Sequence, residues 1–278
     1  MKLSGKRALV TGGASGLGAA IALAFAREGA RVLLADLDQK KADGVADRCS
    51  TLTPGSSAVH CDVSDSGSVA KAFDEADRRL GTLDILVNNA GIVHGDPAYR
   101  ARISAVPKAQ LAEALGGEGI KTHWEEIERL TDEMFDRMMK VHVYGTFYCT
   151  REALRRMRVR GEGGRIVNLG SIMGTASLTG APDYCAAKGA ILAFTRATAR
   201  EAASYGVLVN AIAPGYIDTP MLDILDEEMR QLLRAQTPLG RIGRPEDIAA
   251  AALYLAGPDS AFVTGQTLSP NGGVYMSQ

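Results

Sequence analysis

The chain has 278 residues, 46% of them apolar and 23% charged, and its 31 basic and 32 acidic side chains leave a formal net charge of −1. That balance excludes a disordered or collagen-like chain, and the lack of any basic run argues against nucleic acid as the main partner. The most apolar stretch, Ile248 to Ala256, falls far short of the ~18 residues a membrane helix needs.

Short β-branched and leucine-rich runs alternate with longer alanine-rich amphipathic ones. Strands are expected at Arg7–Thr11, Arg31–Ala35, Ala58–Cys61, Ile85–Asn88, Arg165–Leu169 and Val207–Ile212, with a last one near Gln266–Leu268. These runs are apolar almost throughout, as strands of a parallel sheet covered on both faces should be. Helices are expected between them at Gly16–Glu28, Gln39–Arg48, Gly67–Leu80, Thr131–Arg158, Asp183–Ala203 and Pro245–Leu255. Pro245 in the first turn, followed by Glu246 and Asp247, makes a good helix start. Alternation from end to end predicts an α/β fold, a Rossmann-type doubly wound parallel sheet with right-handed crossovers, and one domain over residues 1–278.

Two connections exceed the usual loop length: Ile92 to Trp124, and Tyr216 to Gly243. Within the first, Val106 to Leu115 reads as a short helix with Pro107 at its start and Gly116-Gly117 as its stop. The N-terminal Met1 to Arg7 runs straight into a strand and lacks the apolar core of a signal peptide, so a cytoplasmic location is expected. Cys49, Cys61, Cys149 and Cys185 are scattered without a CxxC pair, which predicts reduced thiols and no zinc site.

Candidate chemistry gathers at the carboxyl ends of the expected strands. Thr11-Gly-Gly-Ala-Ser-Gly-Leu-Gly18 follows the first strand and opens a helix. Glycines 12, 16 and 18 allow a tight turn and close approach of backbone amides to a pyrophosphate, and the helix N-terminus adds positive potential. Asp36 ends the second strand near the ~20-residue spacing of an acid that binds the adenosine ribose. Its carboxylate would accept the ribose hydroxyls and repel a 2′-phosphate. With Ser15 standing where a basic residue could have received that phosphate, the sequence favours NAD over NADP. Tyr184-Cys-Ala-Ala-Lys188 sets a phenol and an ammonium one helical turn apart on one face. A neighbouring cation lowers a phenol's pKa from near ~10 and makes it a usable proton donor and acceptor. Ser171 closes the fifth strand, Asn88-Asn-Ala-Gly91 the fourth, and Pro214-Gly215 follows the sixth, all on one edge of the sheet.

Together these residues resemble the short-chain dehydrogenase/reductase family, over nearly the whole chain from Thr11 to Gly273. The resemblance implies a seven-strand sheet in the order 3-2-1-4-5-6-7. It implies Tyr184 as general acid/base, Lys188 as pKa modulator and nicotinamide-ribose ligand, and Ser171 as a hydrogen-bond partner of the substrate oxygen. It further implies cofactor contacts from Gly12, Ser15, Gly16, Leu17, Gly18, Asp36 and Leu37, from Asp62 and Val63 at the adenine, and from the wall Asn88, Asn89, Ala90 and Gly91. Pro214, Gly215, Ile217 and Thr219 match the stretch that holds the nicotinamide end. The chain departs from the pattern at His142, where the family usually has an Asn supporting a water relay to the lysine; the imidazole reads either as a proton-shuttling group or as packing.

In this family the segment after Thr219 is a helical lid, and Met221, Leu222, Ile224, Leu225, Met229, Leu232 and Leu233 would suit a hydrophobic or cyclic substrate; packing of an amphipathic hairpin explains the same residues. From Gly91 to His142 the spacing is roughly twice the family's usual one, so the 92–124 segment borders the substrate mouth, decorates the surface or contacts a subunit. The reading is an NAD-dependent oxidoreductase acting on a secondary alcohol or ketone, with a 3-oxoacyl-thioester reductase as the rival and an idle dinucleotide sensor as a third class. A homo-oligomer, commonly a tetramer, is implied, built on the helices that carry His142 and Tyr184.

Overall fold

The computed structural model describes residues 1–117, 119–177 and 179–276. In chain order the elements are β1 (Arg7–Thr11), α1 (Gly16–Arg27), β2 (Arg31–Asp36), α2 (Gln39–Leu52), β3 (Ser57–His60), α3 (Ser66–Leu80), β4 (Ile85–Asn88), α4 (Pro97–Gly116), α5 (Glu126–Arg129), α6 (Asp132–Met139), α7 (Gly145–Arg160), β5 (Gly164–Leu169), α8 (Pro182–Ala202), β6 (Val207–Ile212), α9 (Glu227–Gln236), α10 (Pro245–Ala256) and β7 (Thr267–Leu268). The seven strands are all parallel, in the order β3-β2-β1-β4-β5-β6-β7, as expected from the sequence. Among the described residues, no helix is long and apolar enough to cross a membrane.

Alternation along each strand splits the core into two layers. Ala8, Val10, Val32, Leu34, Ile85 and Val87 face α1, α2 and α10, where Phe25 and Ile248 are fully buried. Leu9, Leu33, Leu86, Ile166 and Val209 face α3, α7 and α8, against Phe73 and Met157. Burial on both sides explains why these strands carry almost no polar residues. The exceptions pair inside the sheet: Asn88 Nδ2 donates to Asn168 Oδ1 at 2.8 Å and to Thr150 Oγ1 at 3.0 Å, and Asn168 Nδ2 donates to Thr195 Oγ1 at 2.9 Å. This chain ties β4 to β5 and both to α7 and α8, next to the carboxyl ends where the site lies.

Two elements differ from the sequence expectation. The helix in the first long connection begins nine residues early, at Pro97, with Asp96 accepting from the Tyr99 amide at 2.8 Å as its N-cap. Pro107 therefore lies inside the helix, where it has no N–H to offer the Ile103 carbonyl. The apolar period misleads because α4 docks through one buried side chain, Tyr99. The expected Thr131–Arg158 helix is a continuous rod interrupted by a π-helical turn at Lys140–Tyr144, which carries His142. A single widened turn re-aims one side chain without stopping a helix, and such turns gather at functional sites.

Asn168→Ala should cost about 2–4 kcal/mol of folding stability, because it leaves the Asn88 amide and the Thr195 hydroxyl short of a buried partner. Equilibrium urea denaturation measures this; a loss under about 0.5 kcal/mol would show that the network contributes little.

Candidate active site

A cavity of ≈ 1060 Å³ opens along the carboxyl edge of the sheet. One end is the glycine turn between β1 and α1. Gly12 and Gly16 have φ of +63° and +51°, and a Cβ on Gly12 would lie 2.8 Å from Ala90 Cα. The Gly18 position is tighter still, with a Cβ only 2.1 Å from the Gly12 carbonyl oxygen. Gly18 is buried and does not line the cavity; it lets α1 press against the turn. Ser15 is the N-cap of α1 and makes no side-chain cap hydrogen bond, so the first-turn amides of the helix face the cavity end uncapped by the chain.

The turn is fastened to the end of β4. Asn89 Nδ2 donates to the Thr11 and Gly12 carbonyls, both at 3.0 Å, while Thr11 Oγ1 accepts from the Asn89 and Ala90 amides at 3.0 and 3.1 Å. Asn89, Ala90 and Gly91 line the cavity, but Asn88 lies behind them in the β4–β5 network and has no place in the wall. Asp36 faces the cavity with its carboxylate set by two backbone donors, Ala14 N to Oδ2 at 2.9 Å and Asp38 N to Oδ1 at 3.0 Å. Leu37, Asp62 and Val63 continue that wall, and Asp62 is fixed by the Ser64 amide at 2.9 Å. Ser15, Gly16 and Leu17 line the turn, while Pro214, Gly215, Ile217 and Thr219 line the opposite flank.

The chemistry-bearing side chains meet at the cavity floor. Ser171 follows β5, and Tyr184 and Lys188 occupy the first two turns of α8. Lys188 Nζ donates to the Leu169 carbonyl at 2.8 Å and stands 5.5 Å from the Tyr184 ring centroid. Burial pushes the Tyr184 phenol up to about 12, against a lowering hydrogen bond from Ser171. Burial likewise pulls the Lys188 ammonium down to about 7. The sequence argument expected the cation to lower the phenol; here desolvation outweighs that attraction and drives both groups toward their neutral forms.

His142 does not line the cavity. It packs edge-on behind Tyr184, ring centroids 5.4 Å apart, with Nε2 2.9 Å from the Ile92 carbonyl oxygen and 3.0 Å from its amide nitrogen. Gly91 is required beside it, since a Cβ there would lie 2.5 Å from His142 Cε1. Desolvation, reinforced by the charge of Lys188, pulls the imidazole down to about 3, so it is neutral across the physiological range.

The two long connections both reach the cavity. Tyr99, Ile103, Pro107 and Trp124 come from the 92–124 segment, and Met221, Leu222, Ile224, Leu225, Met229, Leu232 and Leu233 from the segment after Thr219. Ser104 Oγ and Lys108 Nζ of α4 reach Asp226 Oδ2 at 2.8 and 3.0 Å, joining the inserted helix to the N-cap of α9. The sequence reading missed His94, which lines the cavity just past the Asn-Asn-Ala-Gly turn and pairs with Asp183. A histidine three residues beyond a cofactor-wall glycine was the available signal.

Comparison with known proteins agrees with this arrangement. Residues 6–230 match the family model described as short chain dehydrogenase. The chain is 35% identical to the 3-oxoacyl-[acyl-carrier-protein] reductase FabG of Vibrio cholerae over 276 residues, covering 99% of this chain and 100% of that one. It is also 35% identical to the uncharacterized oxidoreductase YxbG of Bacillus subtilis, covering 98% and 92% of the two chains. Among solved structures it resembles a short-chain type dehydrogenase/reductase from Mycobacterium marinum, with a TM-score of 0.83, 32% identity and coverage of 99% and 98%. A 3-ketoacyl-(acyl-carrier-protein) reductase from Brucella melitensis complexed with NADH gives 0.83 at 31% identity, covering 99% and 100%. With its parallel sheet, its glycine turn and a family match spanning most of its length, the chain belongs to the short-chain dehydrogenase/reductase family of oxidoreductases.

Proposed function

We propose that the protein is an NAD-dependent dehydrogenase/ketoreductase that interconverts a secondary alcohol and a ketone. One observation carries the reading: Ser171, Tyr184 and Lys188 share the floor of a cavity whose far end is a close-approach glycine turn beside Asp36. The residues present fit a dinucleotide, because the positive-φ glycines Gly12 and Gly16 line the cavity without side chains and the α1 N-terminus offers amides to a pyrophosphate. Asp36 and Leu37 would hold the adenosine ribose, Asp62 and Val63 the adenine, and Asn89 to Gly91 with Pro214 to Thr219 the nicotinamide half. The nicotinamide supplies the hydride acceptor and donor, and in its oxidised form a positive charge that favours the Tyr184 phenolate.

In the ketone-reducing direction the phenol of Tyr184 is protonated at neutral pH and donates to the carbonyl oxygen as charge develops there. Ser171 steadies the same oxygen. Lys188, pulled down to about 7 by burial and 5.5 Å from the Tyr184 ring centroid, favours the phenolate whenever it carries its proton. His142 acts as a positioning residue through its edge contact with the Tyr184 ring, and its neutral state argues against a titrating shuttle. The lid residues and the wall from the 92–124 segment provide an apolar enclosure suited to a hydrophobic or cyclic skeleton.

A second reading, reduction of a 3-oxoacyl thioester, is favoured by the names of curated relatives at 35% identity. The Brucella reductase of that kind is complexed with NADH, so a preference for NADH by itself does not separate the two substrates. A substrate screen does: turnover of cyclic or hydrophobic ketones above acetoacetyl thioesters supports the first reading, and the reverse order the second.

Tyr184→Phe should reduce turnover by about 10³-fold while NADH affinity, followed by fluorescence titration, stays within a factor of two. Loss of both together would place Tyr184 in cofactor binding and not in proton transfer. At the other end, wild-type kcat/KM should favour NADH over NADPH by on the order of 10²-fold, and Asp36→Ala should erase most of that ratio by removing the carboxylate opposed to the 2′-phosphate. Better catalysis with NADPH in the wild type would overturn the NAD assignment.

His142 also carries a stability signature. Its folded pKa lies below the ordinary 6.5, so the unfolded chain binds the extra proton between pH 6.5 and about 3, and stability falls as pH drops through that window. In His142→Asn that part of the acid destabilisation, at most on the order of 4 kcal/mol, should disappear from urea melts between pH 6.5 and 4. An unchanged slope would mean that the imidazole is solvated in the native state.

A further inference from the structure

Beside the Ser171–Tyr184–Lys188 floor, His94 lines the cavity and pairs with buried Asp183, and the proposed reaction assigns this pair no work. His94 Nε2 lies 2.6 Å from Asp183 Oδ2. Asp183 is 1% exposed and occupies the first turn of α8, next to Tyr184, whose backbone amide donates to its other oxygen at 2.8 Å. The imidazole ring is held edge-on by Tyr99 at 5.4 Å between centroids, and Tyr99 in turn donates its hydroxyl to the Gly180 carbonyl at 3.1 Å. Three elements thus converge to fix one ring: the loop after β4, the inserted helix α4 and the start of α8.

A histidine that donates Nε2–H to a carboxylate has its tautomer chosen for it, and Nδ1 keeps a lone pair. Among the described residues none hydrogen-bonds to that nitrogen. His94 faces the cavity while its partner is buried, so the pair resembles a preset acceptor in a pocket whose remaining walls at this end, Ile92, Val93 and Trp124, are apolar or aromatic. Oriented polar groups of this kind fix the pose of a ligand whose skeleton is gripped by apolar contacts.

We infer that His94, oriented by Asp183, is a substrate-positioning residue that accepts a hydrogen bond from a second hydroxyl on the substrate, so that the site selects a hydroxylated alcohol or hydroxyketone over its unsubstituted analogue. The inference rests on the dehydrogenase reading and narrows its substrate class. Its physical basis is that bound substrate covers this half-buried imidazole, and an analogue lacking the hydroxyl would leave its acceptor without a donor.

The test compares trans-1,2-cyclohexanediol with cyclohexanol. Wild-type kcat/KM should favour the diol, and His94→Ala should lower the diol's value about tenfold more than cyclohexanol's, with the difference appearing in KM. His94→Gln, which keeps a side-chain acceptor and a donor for Asp183, should recover part of the preference. Equal losses on both alcohols would show that the pair merely holds the α8 start in place and would overturn the inference, as would a wild type without preference for the diol. A readout independent of turnover uses ¹⁵N-histidine-labelled protein with bound NADH: the His94 Nδ1 resonance should shift on adding the diol and stay fixed with cyclohexanol, and an unmoved resonance with both overturns the inference. If the wild type oxidises neither alcohol with either nicotinamide cofactor, the dehydrogenase reading fails, and the resonance titration still decides the role of His94.

Discussion

The constraint on which the rest depends is the common direction of seven strands. In a parallel sheet every strand ends at the same edge, so Thr11, Asp36, Asn88, Leu169 and Ile212 all deliver their following loops to one side of the molecule. Helices must cover both faces to bury the strands, and the connections need space only at the two edges. The functional residues are therefore not gathered by any attraction among themselves. The register gathers them, and their own hydrogen bonds adjust the last ångström, as the Asn89 and Thr11 contacts do between the glycine turn and the end of β4.

The same packing decides the electrostatics of the floor. Lys188 is 5% exposed, and its ammonium donates to the Leu169 carbonyl, a neutral acceptor and not a carboxylate. A buried ammonium with only a neutral acceptor is destabilised relative to its base, which is why it is pulled toward neutrality while the phenol beside it is pushed up. A pair in this condition is poised: added positive charge near the phenol would shift its proton. His142 extends the effect from behind, since a third buried titratable ring that remains neutral adds shape without adding charge.

The strands were legible because they are short apolar runs, and β1, β2, β4 and β5 are closed by glycine, asparagine or aspartate; sequence and structure agree on them to within a residue or so. The motif residues at the strand ends were legible for the same reason, since a parallel register leaves them only one edge to occupy. What escaped the sequence has particular causes. Asn88 carries the same motif letter as Asn89, but alternation along β4 turns it into the sheet, where Asn168 and Thr150 receive it. The π turn at Lys140–Tyr144 shifts the apolar period by one residue in a long helix, too small a change to break the pattern. The start of α4 was hidden because Val106-Pro107 imitates a helix opening, whereas Asp96-Pro97, the true one, follows a stretch with no apolar period to announce it.

The pair formed by His94 and Asp183 joins the first long connection to the start of α8. The 92–124 segment supplies His94, the Tyr99 ring that braces it and the Trp124 wall, and it clasps the α9 N-cap through Ser104 and Lys108. Asp183 comes from the core fold, one position before Tyr184. α4 therefore has two short contact routes, one to the α9 N-cap and one to the α8 turn that carries Tyr184. Through Ser104 and Lys108, α4 and the segment after Thr219 are joined into one wall of the cavity. The residues that bear the chemistry sit on the sheet edge, and the apolar walls around them come from the two long connections.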